Sequence, residues 1–179
     1  MALWSLAAYW LAFGLTRALS PMLIGEPDLG HLGLSAGVQL VVLMVGGPWG
    51  LLGLAGASFM AAQALWPEVP SALLAGHVAT DLAVPGLVLV ALRRALSVAP
   101  DLSALGFPAL VTMLLAALVA QSAATTAYTV ATRALPWETW MPQASARLMG
   151  DFLGTSVVLA LLVLLVTLVQ RRRLSRRGD

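Results

Sequence analysis

Cysteine and lysine are both absent from this chain of 179 residues, and charge of either sign is scarce at 10%. Without cysteine there are no disulfides, no thiolate metal ligands and no thiol nucleophiles. With histidine only at His31 and His77, a metal site of imidazoles is not expected. No His-Glu-x-x-His or phosphate-loop pattern occurs, so the sequence points away from catalysis. The basic residues are all arginine, and five of the ten lie in the run Arg171-Arg172-Arg173-Leu174-Ser175-Arg176-Arg177. The high isoelectric point therefore reflects a tail suited to anionic lipid, and no nucleic-acid partner is expected.

What is abundant is hydrocarbon. The chain is 60% hydrophobic with a mean hydropathy of +0.90. That composition describes an integral membrane protein. The expected fold is all-α, a polytopic bundle of about six transmembrane helices, at ~20 residues per span. Residues 1–170 form one transmembrane domain and 171–179 a basic cytoplasmic tail. The N-terminus lacks a basic leader region, and Trp4, Tyr9, Trp10 and Arg17 stand in its first apolar stretch, so that stretch is expected to be retained as a helix.

Turn residues divide the chain. Helices are expected over about 3–23, 32–45, 49–66, 71–96, 105–134 and 144–170. The breaks fall at Gly25-Glu26-Pro27-Asp28, Gly46-Gly47-Pro48, Pro67-Glu68-Val69-Pro70, Pro100-Asp101-Leu102-Ser103 and Pro136-Trp137-Glu138-Thr139-Trp140-Met141-Pro142. Ser71 is the expected cap of the fourth helix. Placing the arginine tail and Arg93-Arg94 in the cytoplasm puts both termini inside. Trp66, Trp137 and Trp140 then form an outer belt. Gly50, Gly53, Gly56, Ala57 and Ala61 give the third helix a small-residue face for tight packing.

Ionisable residues inside these spans are the candidates for function. A charge at bilayer depth costs roughly 2.5–3.5 kcal/mol on insertion scales. His77 and Asp81, and Arg147 and Asp151, each stand at i, i+4 and share a helix face. Counting ~1.5 Å per residue from the outer helix ends puts these residues, with Arg17 and Gln39, roughly 7–15 Å deep. Gln121, Ser122, Thr125, Thr126, Tyr128 and Thr129 add polarity to the fifth helix, and Gln63 to the third. The candidate ligand-binding set is Arg17, Gln39, His77, Asp81, Arg147 and Asp151. One reading is a recess open to the outside and taking a small ligand, with Arg17 and Arg147 facing an anion or Asp81 and Asp151 a cation or proton. The other is a closed network for helix registry, with Arg147 paired to an aspartate and His77 bonded to Asp81. Pro85 removes a helix hydrogen bond, so the Asp81 carbonyl should lack its usual donor and the fourth helix should kink there. No cofactor is expected.

Two segments carry a resemblance. Ser35-Ala36-Gly37-Val38-Gln39-Leu40 and Met149-Gly150-Asp151-Phe152-Leu153-Gly154, in the same order of elements, resemble the bacterial membrane-associated sensor domain of the first MASE type. By that resemblance Gly37, Gly150, Asp151 and Gly154 are signature positions. The resemblance implies a sensory module of the bacterial inner membrane. Without an output module in the chain, it implies action through a separate membrane or signalling partner. His31-Leu32-Gly33-Leu34-Ser35 stands where the family has Trp-Pro, and no proline follows in the sixth helix. Size and helix number are also similar to the substrate-binding subunits of energy-coupling-factor importers, with Ala8-Tyr9-Trp10-Leu11-Ala12 as the face for a coupling subunit. An accessory subunit packing within a larger complex is the third class, and it requires a dry, fully paired polar cluster.

Overall fold

The computed structural model describes residues 1–24, 33–98 and 106–175, and for 19–24, 166 and 169–175 the backbone alone. Glu26, Asp28, His31, the loop at 100–103 and the end of the arginine tail lie outside the described residues. Six helices follow in order: α1 Ala2–Ile24, α2 Leu34–Val45, α3 Gly47–Leu65, α4 Ser71–Ala95, α5 Phe107–Thr132 and α6 Trp140–Ser175. A single 3-10 turn, Trp137–Thr139, precedes α6, and no strand occurs among the described residues.

Local chemistry sets the boundaries. Gly47 has φ +59°, which suits a residue without Cβ, and Pro48 stands in the first turn of α3, where a missing N–H costs nothing. Ser71 does not cap α4. Pro70 does, with extended backbone (φ −54°, ψ 135°), and its carbonyl accepts from the amides of Leu73 and Leu74. α6 begins at Trp140, earlier than the expected 144, because Pro142 falls within the first turn, where no i−4 partner is needed. The indole Nε1 of Trp140 donates to the Ala123 carbonyl at 3.1 Å, pinning that start to α5. α4 and α5 both end in six-residue closures through left-handed residues. The Val98 amide bonds the Arg93 carbonyl around Ser97 (φ 52°), and the Leu135 amide bonds that of Val130 around Ala134 (φ 49°).

Helices α4, α5 and α6 are long and apolar enough to cross a membrane, over Ser71–Ala95, Phe107–Thr132 and Trp137–Leu165. α2 has twelve residues and rises only about 18 Å, short of a ~30 Å hydrocarbon core. It packs against α1, α3, α4 and α6, while the neighbouring pairs α1–α3, α3–α4, α4–α5 and α5–α6 surround it. The Gly33 amide donates to the Gly150 carbonyl at 2.9 Å, so α2 begins about 15 Å along α6 from Trp140. α2 therefore occupies the half of the bundle away from Trp66 and Trp140. There Leu40 packs with Leu89, Met113, Leu114, Ala117 and Leu118 in an apolar core. A second core joins α1, α3 and α4 through Tyr9, Phe13, Leu54, Ala57, Val78 and Leu82. Among the described residues, no helix fills the space above the start of α2.

Candidate functional site

A cavity of about 520 Å³ lies in that space, at the bundle end where α3 and α5 finish and α4 and α6 begin. Arg17, His77, Asp81, Arg147 and Asp151 all line it, brought from α1, α4 and α6. Arg147 is the hinge of the group. Its Nη2 donates to Asp81 Oδ1 at 2.5 Å, linking α6 to α4. Its Nε stands 3.5 Å from Asp151 Oδ2, one turn further along α6. Asp81 Oδ1 also accepts from Gln121 Nε2 at 3.2 Å and from the Thr125 hydroxyl at 3.3 Å, both on α5. Asp81 thus ties α4, α5 and α6 together while only 7% exposed.

Asp151 is held differently. It is 9% exposed, and its buried Oδ2 accepts no hydrogen bond from any described residue. The Arg147 Nε opposite it likewise lacks a hydrogen bond. Ser58 Oγ, Gln121 Oε1, Ser122 Oγ and Thr155 Oγ1 are also buried without a partner among the described residues. Native interiors satisfy about nine in ten such groups, so the described residues by themselves leave this region incomplete.

His77 does not bond Asp81, as the closed-network reading required. Its Nδ1 faces the Thr129 hydroxyl at 3.4 Å, and its ring meets Trp66 and Tyr128 edge-on, with centroids 5.2 and 6.3 Å away. Tyr128 reaches over α4 to donate to the Leu73 carbonyl, and Gly76 leaves room for its hydroxyl, since a Cβ there would overlap it. The Arg133 guanidinium covers the other side of Trp66 at 4.8 Å. The shared face of His77 and Asp81 was legible from spacing, but the partner was not.

Gln39 does not line the cavity. It is 2% exposed, and its Nε2 donates to the Asp81 carbonyl at 2.6 Å. That carbonyl is the one Pro85 deprives of a helical donor. Gln63, expected near the polar group, is exposed on the outside of α3. Tyr9, Thr16, Ser35 and Ser58 line the cavity without having been singled out, because single hydroxyls in apolar helices carry no depth signal of their own.

Gly33, Gly37, Gly150 and Gly154 meet at one seam. A Cβ on Gly154 would overlap the Gly33 backbone, and one on Gly37 would stand 2.9 Å from the Thr155 Cα and the Val158 side chain. A Cβ on Gly33 would overlap Asp151 Oδ1. The close approach at Gly33 and Gly154 therefore holds Gly33 and Asp151 together where both line the cavity. On α1, Ala8 is exposed and Ala12 buried, so the two do not form one open stripe. Among the described residues no three His, Asp or Glu side chains cluster as metal ligands. The chain matches no family model, no curated protein and no solved structure.

Proposed function

We propose that this protein is a ligand-binding sensory module of the bacterial inner membrane that acts through a separate partner protein. In this reading all six helices are embedded with both termini cytoplasmic, and the cavity opens to the outside. The observation that carries it is the recess itself: 520 Å³, within the range of small-molecule sites, lined by Arg17 and by His77, Asp81, Arg147 and Asp151, the last four within apolar helices where charge is expensive. Incomplete hydrogen bonding at Asp151 and Arg147 favours a site that meets water or ligand over a purely structural network. The resemblance of Gly37, Gly150, Asp151 and Gly154 to the first-type MASE signature supports the sensory class. So does the placement of Arg147 and Asp151 on α6, the longest helix, which runs on to Ser175. A ligand touching these side chains acts directly on the helix that leads toward a cytoplasmic partner. The buried Ala12 argues against the importer-subunit alternative, whose docking face it would share.

The absence of native cysteine makes the test direct. Ala146→Cys places a single thiol on the cavity wall beside Arg147. It is expected to react with a membrane-impermeant methanethiosulfonate added to intact cells, whereas Ala117→Cys, fully buried in the opposite half, stays unreactive. An inert Ala146→Cys would leave the accessory-subunit reading in its place. Co-purification from native membranes in mild detergent then separates the classes. A kinase, cyclase or regulator supports sensing, and an ATPase pair with a coupling subunit supports import.

A further inference from the structure

Resting on the recess being a ligand site, the charge arrangement assigns its occupant. We infer that the recess binds a small organic zwitterion, its ammonium group seated on Asp151 and its anionic group turned toward Arg17.

The buried side of the recess holds two carboxylates, Asp81 and Asp151, and a single guanidinium, Arg147. Asp81 has first claim on it: a 2.5 Å bond to Nη2, supplemented by Gln121 and Thr125. Asp151 receives only the 3.5 Å approach of Nε, which is not a hydrogen bond. With both carboxylates ionised, the described residues of this group carry one negative charge in excess, and the less well held carboxylate is Asp151, 9% exposed with no donor to Oδ2. An unpaired buried charge is strongly unfavourable, so the occupant that suits the site brings a cation with N–H donors. The Gly33 backbone lies directly against this carboxylate, since a Cβ there would overlap Asp151 Oδ1, and both residues line the recess.

Among the described residues, the remaining charge on the wall is Arg17. It is exposed, lines the same cavity and pairs with no acid among the described residues. The recess is therefore polarised, negative at its buried floor and positive at its exposed side. A simple cation would satisfy the floor and face repulsion on passing Arg17. A simple anion would be held at Arg17 and repelled by Asp151. A molecule with both groups meets both complements. Tyr9, Phe13, Trp66 and Val78 give the intervening wall an apolar character suited to a short carbon chain.

The test is ligand-induced thermal stabilisation of the purified chain in detergent. The probes are glycine, 4-aminobutanoate and 6-aminohexanoate, each beside its matched amine and carboxylate. At least one zwitterion is expected to bind tenfold or more tightly than either of its halves. Asp151→Asn should lower that affinity at least tenfold and remove the response to the amine. Arg17→Gln, at an exposed position, should reduce the zwitterion to the affinity of its amine, and this arm stands even if Asp151→Asn does not fold. A carboxylate that binds as well as its zwitterion, or a zwitterion response unchanged in both variants, overturns the inference. If no probe binds while Ala146→Cys reacts with soluble reagent, the zwitterion is wrong and the open recess stands. If Ala146→Cys is also inert, both fail.

Discussion

The amide of Gln39 supplies to the Asp81 carbonyl the donor that Pro85 takes from it, so two side chains on different helices are energetically coupled. Gln39→Leu leaves a buried carbonyl unsatisfied and is expected to cost about 1–3 kcal/mol. Pro85→Ala returns an N–H at the right place in α4, so Gln39→Leu in that background should cost less than half as much. Equilibrium unfolding in detergent of the single and double variants measures the coupling, and additive costs would show that the bond carries no weight. The sequence made the freed carbonyl legible, because proline acts on the residue four positions before it. The donor was not legible. It comes from a helix far away in the chain, and a buried glutamine looks the same in a sequence whether it meets a ligand or a backbone.

Among the elements, the α2–α6 contact is the one that shapes the site. Backbones approach closely there because Gly33, Gly37 and Gly154 present no side chain, and the close approach lets α2 stop at the level of Asp151. Gly154→Ala is expected to destabilise the protein by roughly 1–3 kcal/mol, the usual range for overpacking. Gly56→Ala on α3, where no atom lies within 4 Å, should leave thermal stability unchanged or raise it. Equal melting temperatures for the two variants would remove the seam from the argument. The short Ser-Ala-Gly and Gly-Asp-x-x-Gly segments stood out in the sequence before any reason for their glycines was visible. Helix starts were less legible. Ser71 has the chemistry of a cap, but the following helix was already seeded by Pro70, and Pro142 reads as a breaker although the first turn tolerates it.

On the scale of the whole molecule, hydrophobic runs and breakers were enough to mark six helices, since backbone hydrogen bonding leaves few alternatives in an apolar chain. Depth was harder to read, because spacing counts residues from a helix end and assumes that each helix starts at the same surface. α2 does not, and a twelve-residue helix set halfway down is what opens the recess. The orientation proposed here predicts that a fluorescent protein fused after Asp179 folds and fluoresces in the cytoplasm, while alkaline phosphatase fused at the same position is inactive. The reverse pair of results would invert the bundle and close the recess to the exterior.

The half-length of α2 has an electrical consequence. In the proposed orientation, a water-filled recess would carry the outside potential down to the level of Gly33, and the transmembrane voltage would fall mainly across the roughly 18 Å that α2 occupies. A full elementary charge crossing the whole field would exchange about 2.3 kcal/mol per 100 mV. A ligand descending to Asp151 crosses little of that drop, and a zwitterion crosses it with no net charge. In the proposed orientation, occupancy would then follow the concentration outside the cell and be indifferent to how strongly the membrane is energised.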